Sequence, residues 1–164
     1  HLVALASGTE GQKEQAAGAF RNLSVESANQ KAIADAGGIP PLVALLKGGP
    51  DARVENAAGC VRNLSIPSEN RGKIAQAGGI PLLVDLTRKG SDAQKEQAAA
   101  ALRGLACDGP IKASIARAGG IEPLVALARG GTAAQKEQAK TALTNLAHDN
   151  EDNRKAMSAL GYTP

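Results

Sequence analysis

The sequence predicts an all-α solenoid, because short helical motifs recur along its 164 residues at a fixed step. The string Ala-Gly-Gly-Ile stands at 36–39, 77–80 and 118–121, so that consecutive copies lie 41 residues apart. A second string, Gln-Lys-Glu-Gln-Ala, stands at 12–16, 94–98 and 135–139. A period near 40 residues is typical of stacked helical repeats, in which each unit buries its apolar face against its neighbours.

Each unit contains three helical segments, and residues 27–65 illustrate them. The first segment covers about 29–36, after a Ser27–Gln30 pair that fits a capping box. Two glycines at 37–38 end it, because glycine readily adopts the left-handed conformation found after a helix.

The second segment begins at the Ile-Pro-Pro of 39–41, since proline suits a first helical turn, and ends at the glycines of 48–49. The third segment covers about 51–65. Its apolar residues follow the 3.6-residue period of a helix; they are Val54, Ala57, Ala58, Val61 and Leu64. Third segments elsewhere open on capping boxes, at Thr9–Gln12, Ser91–Gln94 and Thr132–Gln135.

These motifs predict that the whole chain, 1–164, is a single solenoid made of repeats. It has a partial repeat at 1–26, repeats at 27–67, 68–108 and 109–149, and a partial repeat at 150–164. Partial repeats expose apolar faces that a neighbouring unit would cover. We therefore expect weak head-to-tail self-association through the two ends.

The amino-acid composition indicates which residues form the core and which kinds of partner are not expected to bind. Phe20 and Tyr162 are the only aromatic residues, so the core must consist of Ala, Leu, Ile and Val. The net charge is +3, with acidic and basic residues interspersed, which argues against a nucleic-acid or membrane-surface binder. We expect Cys60 and Cys107 to be buried free thiols of an intracellular protein, cytoplasmic or nuclear.

Taken in order, the motifs resemble the armadillo repeat family along essentially the whole chain. They are a short helix, a Gly-Gly break, Ile-Pro-x-Leu-Val-x-Leu, and a long helix that ends in Asn-Leu-Ser. The resemblance implies a right-handed superhelix with three helices per repeat of about 41 residues. It also implies that the third helices line a concave groove, which binds an extended peptide or protein segment.

The resemblance assigns residues to that groove. An asparagine near the end of the third helix is expected to bond the peptide backbone, because one amide offers both a donor and an acceptor. The matching residues are Asn22, Asn63 and Asn145, and Gly104 interrupts the row. Four residues earlier, where some members carry tryptophan, this chain has Gly18, Gly59, Ala100 and Thr141. Recognition that depends on those tryptophans is therefore not expected.

Two charged rows accompany the asparagines on the same helix face. The acidic row is Glu14, Glu55, Glu96 and Glu137, and the basic row is Arg21, Arg62 and Arg103. We expect the small residues to lie between the two rows. Alternatives stay open, since the glutamates could be solvated, the arginines could pair with glutamates of the next repeat, and the asparagines could bridge repeats.

The sequence gives no indication of an enzyme, a metal site or a cofactor. His1 and His148 are the only histidines, and neither lies near a nucleophile in a triad-like arrangement. Two functions remain. One is an adaptor or scaffold module that binds a peptide. The other is an engineered or purely structural repeat array, favoured by the identical strings at 93–98 and 134–139.

Overall fold

The chain folds as a row of stacked helical repeats, as the 41-residue step predicts. The structure, a computed structural model, describes residues 2–164, and His1 lies outside the described residues. Residues 2–164 form twelve α-helices, one 3-10 helix and no strand. The elements are α1 Leu2–Leu5, α2 Glu10–Leu23, α3 Ser27–Asp35, α4 Ile39–Ala44, the 3-10 helix Leu45–Lys47, α5 Asp51–Leu64, α6 Ser68–Gln76, α7 Gly79–Lys89, α8 Asp92–Leu105, α9 Gly109–Arg117, α10 Ile121–Gly130, α11 Ala133–Ala147 and α12 Glu151–Ala159.

The third helices of the repeats, α2, α5, α8 and α11, pack side by side in chain order. The predicted apolar line of α5 is confirmed, because all five of its side chains are at most 3% exposed. Alanine dominates the matching part of α8, where Ala98, Ala99 and Ala101 are fully buried. Small side chains let neighbouring helices approach closely, so the core needs few large residues.

Glycines end the first helices as predicted. The first glycine of each Gly-Gly pair is left-handed, with φ of 71° at Gly37, 79° at Gly78 and 73° at Gly119. The glycines at 48–49 end the second segment, also at positive φ. Glycine is the residue that adopts this conformation without a steric cost.

The three capping boxes of the third helices are confirmed, at Thr9, Ser91 and Thr132. The Ser27–Gln30 capping box is wrong. Helix α3 begins one residue earlier than that box requires, with Glu26 as its N-cap, and no described side chain caps its first turn. Gln30 Nε2 instead donates to the carbonyl oxygen of Ser24, 2.9 Å away, and so satisfies the C-terminal end of α2.

Two of the capping-box glutamines, Gln94 and Gln135, also link two repeats. Gln94 Nε2 donates to the backbone and side-chain oxygens of Asp51, both 3.2 Å away. Gln135 repeats this contact on Asp92, at 2.9 and 3.2 Å. In α5 the N-cap residue is Pro50, whose side chain makes no capping hydrogen bond. The buried Arg53 stands at the helix position that glutamine occupies in α8 and α11.

Arg53 makes a different link between repeats. Its guanidinium pairs with Glu10 and donates to the carbonyl oxygen of Gly48, but its Nε has no partner among the described residues. The pKa of Glu10 lies below its usual value, mainly because Lys13 donates a hydrogen bond to its carboxylate and, to a smaller extent, because Arg53 does so too.

We expect Thr132→Ala to lower the free energy of unfolding by about 0.5–2 kcal/mol, because the first turn of α11 loses its cap. Thermal unfolding followed by circular dichroism measures this loss. Thr144→Ala on the same helix is the matched control, since Thr144 is exposed and lies in the last turn. Equal melting temperatures for the two variants would show that the cap does not stabilise α11.

Apolar surface is exposed near both ends of the described chain. A cavity of about 380 Å³ beside α1 and α3 is lined mainly by apolar side chains, including Leu2, Phe20 and Ile33. After α12, Leu160 is 38% exposed. Head-to-tail self-association through these surfaces stays a prediction. No helix within residues 2–164 is long and apolar enough to cross a membrane.

Candidate functional site

A pocket of about 330 Å³ lies where the C-terminal halves of α2 and α5 meet. Four of the ten predicted site residues line it: Arg21, Asn22, Arg62 and Asn63. They come from identical positions of two consecutive repeats, so the stacking of α2 on α5 brings them together. The remaining six lie elsewhere along the same row of third helices.

Two of the three asparagines bridge neighbouring repeats through their amide nitrogen. Asn63 Nδ2 donates to Ser24 Oγ at 3.0 Å, and Asn145 Nδ2 donates to the carbonyl oxygen of Arg103 at 3.1 Å. Asn22 is exposed and makes no side-chain hydrogen bond within residues 2–164. The oxygen atoms Oδ1 of Asn63 and Asn145 accept no hydrogen bond from the described residues. Each bridging amide thus keeps an acceptor that a ligand N–H could use.

At the gap in the asparagine row, Gly104 packs closely against Ser65 of the preceding repeat. A Cβ atom added at Gly104 would lie only 2.2 Å from Ser65 Oγ. That hydroxyl is held in place by its hydrogen bond to the carbonyl oxygen of Arg62, 2.6 Å away. A side chain at position 104 would require Ser65 to shift, whereas the equivalent Ser24 lies beside Asn63 and accepts its hydrogen bond.

Two of the three arginines, Arg21 and Arg62, reach across to the next third helix. Arg21 Nη1 donates to Glu55 Oε1 at 3.0 Å and to Asn56 Oδ1 at 2.9 Å. Arg62 Nη1 donates to Gln97 Oε1 at 3.2 Å, and Gln97 is the residue of α8 that corresponds to Asn56. The alternative that the arginines pair with glutamates of the next repeat thus holds at Arg21 and Glu55, which form an ion pair between repeats.

Gly59 leaves space for the Arg21 side chain. A Cβ atom at Gly59 would lie 3.1 Å from Arg21 Nε and 3.5 Å from Gln97 Oε1. The position that carries tryptophan in some armadillo proteins is thus already covered by the arginine of the preceding repeat. A tryptophan at this position would collide with Arg21.

The other charged site residues are less constrained. Glu14 and Glu137 are exposed, and Glu96 and Arg103 are half-buried. None of these four forms an ion pair within the described part of the chain. Half-exposed pairs such as Arg21–Glu55 contribute only about 0.2–1 kcal/mol of stability, so this pair mainly fixes the position of the Arg21 guanidinium.

Sequence reasoning missed two apolar residues of the pocket. Val25 and Ile66 also line it, and they are 68% and 62% exposed. They occupy the same position of consecutive repeats, in the turn after the third helix. Their recurrence 41 residues apart, outside the apolar line of the helix, was the signal that could have identified them.

The two cysteines differ, and the expectation that both are buried is wrong for Cys107. Cys107 is exposed, because it occupies the turn position of Val25 and Ile66, and its Sγ lies 3.5 Å from Asn145 Nδ2. Cys60 is buried in α5, and its Sγ donates to the carbonyl oxygen of Phe20. Burial raises the pKa of the Cys60 thiol to about 12.

We expect iodoacetamide at pH 8 to modify Cys107 of the folded protein and to leave Cys60 unmodified. The thiolate is the reactive form, and the raised pKa keeps Cys60 protonated. Because the folded state holds that proton more tightly, the stabilisation by Cys60 is complete below about pH 9 and is lost as the pH rises towards 12. Peptide mass spectrometry locates the label, and denatured protein is the control. Modification of both cysteines at equal rates in the folded state would contradict the assigned burial.

Comparison with known proteins agrees with this geometry. The family model of the armadillo/beta-catenin-like repeat matches residues 26–66 and 67–107, together half of the chain. The chain belongs to the armadillo repeat family. Its fold is therefore an all-α, right-handed superhelical solenoid with three helices per armadillo repeat. No curated protein sequence matches the chain significantly.

Several solved structures with the same fold are engineered or designed proteins. One engineered protein is 30% identical with a TM-score of 0.90, and the match covers 98% of this chain and 66% of that one. A second, also 30% identical, has a TM-score of 0.91, and the chain spans only 40% of its length. A computationally designed armadillo repeat protein for modular peptide recognition is 25% identical, with a TM-score of 0.92 and coverages of 98% and 69%.

A fourth structure holds a ligand. It is a designed armadillo repeat protein in complex with the peptide (KR)4, with a TM-score of 0.89, 24% identity and coverages of 98% and 69%. At this identity the likeness shows the fold alone.

Proposed function

We propose that this chain is a protein-interaction module that binds an extended peptide or protein segment along the concave groove of its third helices. One observation carries the proposal. Asn22 and Asn63 line the same open pocket from consecutive repeats, and the Asn63 amide keeps an oxygen without a protein partner. Amide side chains spaced in this way can replace the hydrogen-bond partner of a β-strand.

The spacing of the helices suits an extended ligand. Packed helices lie about 8–10 Å apart, and an extended chain advances roughly 3.4 Å per residue. About two to three ligand residues therefore pass each repeat. Asn22 and Asn63, on consecutive repeats, then meet the ligand backbone two to three residues apart.

We expect Asn63→Ala to weaken peptide binding by about 1–3 kcal/mol, because peptide groups at the groove lose their partner. Isothermal titration calorimetry with a peptide selected for binding measures the loss. Ser24→Ala is the matched control, since it removes the Asn63–Ser24 bridge and keeps the amide. Circular dichroism must show unchanged helicity in both variants. If Ser24→Ala weakens binding as much as Asn63→Ala, the asparagine acts only through the stacking of the repeats.

The structural relatives support a peptide as ligand without defining its sequence. One was designed for modular peptide recognition, and another was solved with the peptide (KR)4. We place the partner of this chain in the same broad class, a protein segment rather than a nucleic acid or a membrane. The module would work as a non-enzymatic scaffold or adaptor inside the cell.

A second candidate function is an engineered or purely structural array without an evolved ligand. The six-residue string Ala-Gln-Lys-Glu-Gln-Ala occurs identically at 93–98 and 134–139, and the structural relatives described above are engineered or designed. Selection from a random-peptide library distinguishes the two candidates. Enrichment of one extended motif supports the adaptor, and absence of enrichment supports the array.

A further inference from the structure

The pocket between α2 and α5 has an apolar edge. Val25 and Ile66 are 68% and 62% exposed, whereas most other large aliphatic side chains of the described chain are buried. Both line this pocket, and they lie at its C-terminal side, in the turns after α2 and α5. An apolar group of a ligand that covers these two side chains binds favourably, because the contact removes apolar surface from water.

The opposite side of the pocket is cationic. The guanidinium of Arg21 is neutralised by Glu55, 3.0 Å away. Arg62 makes one hydrogen bond, to the neutral Gln97, and no ion pair within residues 2–164. Among the described residues, none that lines the pocket carries a carboxylate. The pocket therefore has one uncompensated guanidinium with several N–H groups free to donate.

Asn63 lies between the cationic side and the apolar side of the pocket. Gln97 corresponds to Asn56, which lies nearly two turns before Asn63, so the Arg62 head points towards the N-terminal ends of the helices. Ile66 lies one turn after Arg62, towards the C-terminal ends. The pocket thus presents a guanidinium, an amide and an aliphatic side chain in that order along the helix direction.

We propose that this pocket selects an extended segment in which an acidic residue stands next to an aliphatic one. This inference rests on the proposed function, because it takes the ligand backbone to pass over Asn63. Successive side chains of an extended chain point to opposite sides, so neighbouring ligand residues face the two edges. The carboxylate pairs with Arg62, and the aliphatic side chain covers Val25 and Ile66. Within residues 2–164, the one carboxylate bonded to a lining residue is that of Glu55, which is already paired with Arg21, so a basic ligand residue finds no free partner in the pocket.

Four fluorescein-labelled octapeptides test the selection by fluorescence anisotropy. Their sequences alternate Glu-Val, Lys-Val, Glu-Ser and Lys-Arg. We expect the Glu-Val peptide to bind about tenfold or more tightly than each of the others. Equal or tighter binding of the Lys-Val or Lys-Arg peptide would overturn the acidic preference. Equal binding of the Glu-Ser peptide would overturn the aliphatic one.

Single variants separate the two edges of the pocket. Arg62→Gln should remove the preference for Glu-Val over Lys-Val, and Arg62→Glu should reverse it. Ile66→Ser should remove the preference for Glu-Val over Glu-Ser. Arg117→Gln and Leu160→Ser are matched controls on exposed residues outside the pocket, and both should bind like the parent chain.

The same titrations distinguish failure of this inference from failure of the proposed function. If a peptide binds, Asn63→Ala weakens it, and the Arg62 and Ile66 variants change nothing, the groove function stands and the selectivity is overturned. If none of the four peptides binds, the selectivity is overturned, and the random-peptide selection decides the proposed function separately. If a peptide binds and Asn63→Ala does not weaken it, both are overturned.

Discussion

Replacing Leu64 with alanine is expected to lower the free energy of unfolding by about 2–5 kcal/mol. Leu64 is fully buried at the end of α5, in the core shared by neighbouring repeats. Truncation removes apolar contacts and leaves a cavity that the surrounding helices fill only in part. Each repeat is stabilised mainly by its neighbours, so the loss affects the packing of more than one unit.

Denaturant and thermal unfolding followed by circular dichroism measure this effect. For a chain of this size, roughly 2–4 °C of melting temperature corresponds to each kcal/mol. Ile66→Ala is the matched control, because Ile66 is a large aliphatic residue two positions later and is 62% exposed. An unchanged melting temperature for Leu64→Ala would mean that the assigned helix phase of α5 is wrong.

The second large effect concerns Gly79, the second glycine of the pair that follows α6 and the first residue of α7. Gly79→Ala is expected to destabilise the protein by about 1–3 kcal/mol, because the new methyl group overpacks a buried site. A Cβ atom at Gly79 would lie 2.8 Å from Ile74 Cγ2 and 3.0 Å from the carbonyl oxygen of Ile74. The carbonyl cannot move without disturbing the hydrogen bonds at the end of α6.

Gly72→Ala is the opposite case and serves as its control. Gly72 lies inside α6, is exposed, and a Cβ atom there meets nothing within 4 Å. Alanine in an exposed helix interior is favoured over glycine by about 0.5–1 kcal/mol. The two substitutions, seven residues apart, should thus shift the midpoint of chemical unfolding in opposite directions. Shifts of the same sign would contradict the packing described at Gly79.

The fold was largely predictable because its signals are local and repeated. The glycines that end the first helices and the capping boxes at Thr9, Ser91 and Thr132 depend only on residues a few positions apart. The Ser27–Gln30 pair matched the same pattern but failed. Gln30 finds a better acceptor at the carbonyl oxygen of Ser24, and this contact depends on how α3 packs against the end of α2.

The candidate site was less predictable, because its geometry depends on contacts between repeats. The asparagine row followed from the family resemblance, but the bridges that Asn63 and Asn145 make to the preceding repeat depend on how the repeats stack. The bond from Arg21 to Glu55 joins residues 34 positions apart in sequence. Exposure of Cys107 and Ile66 also depends on the turn after the third helix, which the helical period does not describe.

Selection from a random-peptide library tests the central claim most directly, namely that the row of asparagines on the third helices binds an extended peptide. The parent chain and the triple variant of Asn22, Asn63 and Asn145 to alanine are screened side by side, with helicity checked in both. We predict that the parent chain enriches one extended motif and that the triple variant loses it. Enrichment of the same motif by both proteins, or by neither, would contradict the account.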